Sequence, residues 1–219
     1  MASLGHVAVG VAAARIRDLD RRPRWLSAIG WSALSLLPDA DVIGFSLGVK
    51  YEDPWGHRGA THSFAFALIV GAVVGLIARL RTVDVAELPR GSLPLRSRPD
   101  VERRWPLRTA AFATAVVATH PLLDTLTDGG LGCALFWPFD LTRYFAPWRP
   151  IQVAPIGLAF LSPYGAIVAM SELVLFLPLF VFALRPSSSK PLTSDFRLLT
   201  SDFRLLTSFD LILLSPHSA

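Results

Sequence analysis

The sequence predicts an all-α fold: a polytopic helical membrane bundle of about five apolar segments, with the N-terminus outside and the C-terminus inside. Three observations carry that expectation. Of 219 residues, 52% are hydrophobic and only 17% are charged, where a soluble domain carries about a quarter charged. The apolar residues are gathered into five runs, and the mean hydropathy is +0.47. The basic residues are segregated into the connections between those runs, and the connections alternate between rich and poor.

The first run, about Ser3 to Ile16, is short, and nothing basic precedes it. It reads as a retained first helix and not as a removed signal peptide. The second runs from Trp25 to Leu37 and extends toward Phe45 past Pro38; the third, His62 to Leu80, is the most continuous. The fourth runs from about Leu107 to Leu126 and the fifth from Gly165 to Leu184. Roughly 20 apolar residues span a bilayer, so the first two suit tilted or re-entrant pieces packed on the rest.

With five spans, the stretches Arg15–Arg24, Arg79–Arg108 and Arg185–Arg204 share one side and hold 17 of the 21 basic residues. Lys50, Arg58, Arg143 and Arg149 lie opposite. The crowded side is cytoplasmic by the positive-inside rule. The Arg-rich stretch lacks interleaved aromatics and reads as a topology determinant on anionic lipid, so no nucleic-acid partner is expected. Residues 1–185 form one membrane-embedded domain. Residues 186–219 form a repetitive tail, expected to be disordered, in which Thr193–Leu199 (TSDFRLL) recurs at Thr200–Leu206.

Polar clusters close the apolar runs. His6 opens the first, Asp39 and Asp41 end the second in LLPDAD, and His57, Arg58 and His62 lead into the third in GHRGATHSF. His120 and Asp124 lie near the end of the fourth in HPLLDTLTDGG. The topology, drawn from Lys and Arg alone, brings all four clusters to the outer face. His120 and Asp124 are four apart and share a helix face. Cys133 is the only cysteine, so a metal here is held by nitrogen and oxygen. That set suits zinc best, with manganese or iron as alternatives, as one or two ions.

Each residue also has a plainer reading. His6 alone reads as an interfacial histidine, Asp39 and Asp41 as a helix stop, Arg58 as a snorkelling side chain and Asp128 as a turn. Ionisable groups inside apolar segments are costly and functional by default, so His120 and Asp124 resist that reading. Ser63 is set aside as a nucleophile: it adjoins His62, and no GxSxG elbow is present.

Taken with the opening Gly5–His6, with FWPFDLTRYFAPWRPIQVAPIG and with SEL at 171–173, these motifs resemble the YdjM/YbcI-type family of inner-membrane metal-dependent hydrolases, over roughly His6 to Leu177. The resemblance implies a bacterial cytoplasmic-membrane location, hydrolase activity and a site on His6, Asp39, Asp41, His57, His62, His120 and Asp124. The long Arg-rich connection and the repeated tail depart from the pattern without interrupting a motif.

The expected function is a membrane-bound metal-dependent hydrolase that activates water against an ester or phosphoester of an amphiphilic substrate, such as a lipid or isoprenoid phosphate. The expected core metal ligands are His62, His120 and Asp124, with His57, His6 or Asp39 completing a site of one or two ions, Asp41 as base and Arg58 on the anionic group. The rivals are a metal transporter, which needs polar groups near the bilayer midplane, and a structural protein whose metal only staples helices.

Overall fold

A computed structural model describes residues 3–17, 25–86 and 99–185. Among these it is all-helical, with five α-helices and isolated bridges in place of strands. The centre of the Arg-rich connection, the basic residues Arg21, Arg22 and Arg24, and the repeated tail lie outside the described residues.

Helix α1 is Ser3–Arg17, ending in Arg15 and Arg17, basic groups that favour the negative end of a helix dipole. Helix α2, Trp25–Leu36, stops just ahead of Pro38, because proline disfavours the α conformation of the residue before it. The chain then tightens into a 3₁₀ helix, Leu37–Leu47, closed by Gly48 at φ 83°. Helix α3 is Phe64–Ala86. The Ser63 hydroxyl accepts from Phe66 N at 3.0 Å and caps its start, which gives that serine a structural task. Helix α4 is Pro99–Thr125. Helix α5, Pro163–Leu184, begins with Pro163 in its first turn and the Ser162 hydroxyl accepting from Gly165 N at 3.2 Å.

Helix α1 packs between α2 and α5, α3 lies along α4, and α2 also meets α4. Two glycines let α3 and α4 approach. A Cβ at Gly71 would run into Thr114 Oγ1, and one at Gly75 would lie 2.7 Å from Ala110 Cβ. Small residues spaced by four are a common way for apolar helices to associate closely.

The helices are apolar outside and polar within. On α3, Leu68, Ile69, Val73, Leu76 and Leu80 are exposed, as are Ile167, Met170, Val174 and Leu184 on α5. The largest fully buried side chains are Arg58, His6, His57, His62, His120 and Glu172. A water-soluble domain of this size buries its apolar residues and exposes its charges, so the inversion fits lipid as the surrounding medium. Among the described residues, α5 alone qualifies by length and apolarity to cross a membrane, and Phe64–Leu80 is a shorter apolar stretch. Helices of 15 and 12 residues, as in α1 and α2, reach only about 22 and 18 Å, short of a core about 30 Å thick.

Candidate metal centre

The four polar clusters meet at one end of the bundle. His6 lies in the second turn of α1, and Asp39 and Asp41 lie on the 3₁₀ helix after α2. His57, Arg58 and His62 occupy the turn-rich connection into α3, and His120 and Asp124 are in the last turns of α4. The 3₁₀ geometry after Pro38 sets side chains two residues apart at about 120° to each other, closer than the roughly 160° of an α-helix, so both aspartates of LLPDAD face the centre.

Four donors face one another: one ligand atom each from Asp39, His62, His120 and Asp124, within 4.8 Å of one another and all buried. His62 Nε2 and His120 Nε2 are 3.1 Å apart. Asp39 Oδ1 is 3.3 Å from His120 Nε2 and 3.5 Å from His62 Nε2. Asp124 Oδ2 stands 3.6 Å from His62 Nε2.

Protons decide what such a cluster is. His120 Nδ1 lies 2.7 Å from the Ser35 carbonyl, which only accepts, so Nδ1 carries the hydrogen and Nε2 presents a lone pair. That carbonyl belongs to the last turn of α2, where helical carbonyls lack intrahelical partners. His62 Nδ1 faces Asp41 Oδ2 at 3.2 Å, which likewise turns its Nε2 inward. Neither oxygen of Asp39 receives a hydrogen bond, though both are buried. The His120 lone pair, His62 Nε2 and the bare Asp39 carboxylate therefore converge on one point, where a proton on His62 or a metal ion supplies the positive charge.

Asp41 is a hub. Its Oδ1 accepts from His57 Nδ1 at 2.7 Å, and its Oδ2 from Thr61 Oγ1 at 2.6 Å and Arg58 N at 3.3 Å, besides His62. Both Asp41 and His62 sit on the connecting segments outside the five α-helices. Burial pushes the Asp41 carboxyl upward, but the hydrogen bonds from His57 and His62 outweigh it and hold the group well below the usual carboxylate range. Burial likewise opposes a charge on His62, yet the Asp124, Asp39 and Asp41 carboxylates prevail and raise its affinity for a proton. Asp41, His57 and His62 form a second group of metal-ligating type. The 2.7 Å between His57 and Asp41, however, is an ordinary hydrogen-bond length, shorter than the separation of two ligands on one ion.

His6 stands one step out. Its ring stacks on His120 with centroids 3.6 Å apart and 14° between planes, and its Nε2 is 3.3 Å from Asp124 Oδ1. Arg58 is fully buried, so it does not snorkel; its Nε pairs with Asp124 Oδ2 at 3.0 Å. Asp128 accepts from Val153 N at 2.8 Å, an exposed contact that ties the chain just after α4 to the chain 25 residues on.

Two residues escaped the sequence reading of the site. Arg143 donates to the carbonyls of His57 (2.8 Å), Tyr51 (3.0 Å) and Asp53 (3.0 Å), which pins the loop that carries His57 and Arg58. Glu172 of α5, seen in sequence only as the acid of SEL, accepts from Leu4 N at 2.7 Å and Gly5 N at 3.3 Å, anchoring the start of α1 beside His6. Removing the Arg143 clamp by Arg143→Ala leaves three carbonyls without their donor. Stability is expected to fall by roughly 2–3 kcal/mol, measured as thermal unfolding in detergent, with Arg143→Lys recovering only part because one ammonium lacks the planar fork.

These features define a helical bundle with an apolar exterior and a buried histidine–aspartate centre. The chain matches the YdjM inner membrane protein family over residues 1–189 and belongs to that family. It is 38% identical over 146 residues to the inner membrane protein YbcI of Escherichia coli (strain K12), covering 64% of this chain and 70% of that protein. No solved structure matches it. Membership makes the chain a bacterial inner membrane protein, associated with the lipid bilayer.

Proposed function

We propose that the chain is a multi-pass, membrane-bound metal-dependent hydrolase with its site toward the outer side, N-terminus out and C-terminus in. Its metal, zinc before manganese or iron, is held as a single ion by Asp39, His62 and His120. The observation that carries this reading is the near-equilateral triangle of their ligand atoms, with edges of 3.1, 3.3 and 3.5 Å. Ligands about 2.0–2.1 Å from one tetrahedral ion stand about 3.3–3.4 Å apart. A proton shared by His62 and His120, whose 3.1 Å separation is a hydrogen-bond distance, would still leave both buried Asp39 oxygens without a partner, and an ion at the centre of the triangle gives them one.

Three protein ligands leave a coordination position for water or substrate, the mark of catalytic sites over structural ones. Asp124, whose Oδ2 lies 3.6 Å from His62 Nε2 and which is paired with Arg58, would stand beside the ion as a partner of the site. An ion held there supplies Lewis acidity and lowers the pKa of bound water toward neutrality. The protein groups set the stage. Asp41 and the Ser35 carbonyl fix the tautomers of His62 and His120, and His6 buttresses the His120 ring. With four donors on its two oxygens, Asp41 serves better as this orienting group than as a general base. His57 joins it as an outer partner.

In the reaction the water oxygen bonds to the ester's acyl carbon or phosphorus, and the bond to the leaving oxygen breaks. The proton lost by water ends on the leaving alcohol. Amphiphilic esters are the expected substrates because the outward faces of α3 and α5 meet lipid. Ligands placed at helix ends and connections favour this reading over transport, which calls for groups at the midplane. The test is hydrolysis of short-chain phospholipid and carboxylic ester micelles by detergent-purified protein. Chelator is expected to stop turnover and added zinc to restore it, with His120→Ala inactive under both conditions. Zinc accumulation in proteoliposomes without any hydrolysis would replace the enzyme reading by the transporter.

A further inference from the structure

Building on the hydrolase reading, we propose that Arg58 is the anion-recognition group of the centre and that the substrate presents a phosphoryl group to it. Arg58 is the one non-glycine residue among those described with a left-handed backbone, at φ 63°. Such conformations are sparsely populated outside glycine and cluster at ligand clamps. Here the conformation is held by Ala134 N donating to the Arg58 carbonyl at 2.9 Å and by Arg58 N donating to Asp41. The cost is borne to place a guanidinium in the interior.

The donors of that guanidinium are unevenly used. Nε pairs with Asp124 Oδ2 at 3.0 Å and Nη1 donates to the Gly129 carbonyl at 2.8 Å. Nη2 is buried with no acceptor in reach. Buried donors are almost always satisfied, and a lysine would serve if pairing Asp124 were the only task. Gly130 is part of the same arrangement. It sits at φ 85°, and a Cβ there would fall 2.8 Å from both Arg58 Nη1 and Tyr51 Oη, so glycine alone lets the backbone pass this close to the guanidinium.

Asp124 Oδ2 faces both Arg58 Nε and, at 3.6 Å, His62 Nε2. The guanidinium is therefore one carboxylate away from the His62–His120–Asp39 triangle. Two electrophilic centres so placed suit a group with several equivalent oxygens on one atom. A phosphoryl group offers them from the outset, whereas a carboxylic ester offers one oxygen that turns anionic only in the transition state. Arginine's planar fork also matches phosphate geometry better than any other side chain. The phosphoryl group can belong to a lipid headgroup or to a soluble ester.

The experiment titrates inorganic phosphate into zinc-loaded, detergent-purified wild type, Arg58→Lys and Arg58→Gln, with zinc content measured on each sample. A parallel arm uses micelles doped with phosphatidic acid. Wild type is expected to bind phosphate, and both variants to keep zinc while binding phosphate roughly tenfold to a hundredfold more weakly. Tighter binding in the phosphatidic acid arm assigns the phosphoryl group to lipid, and the reverse order to a soluble ester; either result supports the proposal. Variants that keep zinc and bind phosphate as wild type does would overturn it, as would zinc-loaded wild type that ignores phosphate. Loss of zinc from both variants would reduce Arg58 to a counter-ion of Asp124 and also overturn it. Wild type that takes up no zinc fails the underlying metal reading instead.

Discussion

Replacing His62 with alanine is expected to empty the metal centre and to reduce turnover to background. His62 is the one side chain that belongs to both ligating groups, with Nε2 toward Asp39 and His120 and Nδ1 toward Asp41. Alanine removes a ligand, and it releases the carboxylate that oriented the imidazole. Loss of an outer partner alone typically costs 10–100-fold in metal affinity, so loss of the ligand should exceed about 100-fold. Elemental analysis of purified protein reads the effect directly: about one ion per chain in wild type and none above background in His62→Ala. Asp41→Asn is the graded companion. It keeps the shape but weakens the hold on Nδ1, and is expected to fall within the 10–100-fold range.

The second large effect is on folding. Asp124→Ala strands the Arg58 guanidinium, which is fully buried and has Asp124 as its ion-pair partner at 3.0 Å. Breaking a buried pair by removing one member costs about 3–5 kcal/mol, because the remaining charge is left uncompensated. The expected result is a thermal transition lowered by many degrees in detergent, with or without added zinc. The cause is checked by the double variant Asp124→Ala/Arg58→Met. If the stranded charge is responsible, the second substitution restores more than half of the lost stability. If the double variant is no more stable than Asp124→Ala, the loss comes from elsewhere, and the Asp124–Arg58 pair is not what holds this end of the bundle together.

The helical framework was legible because apolar runs and their stops are local signals. The expected segments Ser3–Ile16, Trp25–Leu37 and Gly165–Leu184 became helices Ser3–Arg17, Trp25–Leu36 and Pro163–Leu184. The third helix begins two residues after His62, since Ser63 caps it, and the fourth starts at Pro99, ahead of the apolar run itself. Apolarity marks where a helix is buried or lipid-facing; it does not mark where a polar helical extension begins. For the same reason the sequence spoke of about five spans, while length and composition single out α5.

The meeting of the four clusters was also expected from the sequence, where the alternation of basic connections put the ends of those apolar runs on one side. The division of labour among them was not. Asp39 and Asp41 are two residues apart and chemically identical, yet one has bare oxygens facing two imidazoles and the other is wrapped by His57, Arg58, Thr61 and His62. That difference is set by how the 56–62 loop folds back, which no spacing rule encodes. Arg143 reaches carbonyls more than 80 residues away in sequence, and Glu172 reaches amides at the very start of α1. Contacts of that range carry no periodic signature. Ser63, by contrast, was set aside on an adjacency argument, and its hydroxyl is indeed engaged as a helix cap.

The most direct measurement of the central claim is X-ray absorption at the zinc edge of the stoichiometrically loaded protein. The account predicts a first shell of nitrogen and oxygen only, at about 2.0–2.1 Å, with the multiple-scattering pattern of two imidazoles. An imidazole-free oxygen shell, a shell with a single imidazole, or a chain that retains no zinc after purification would contradict it.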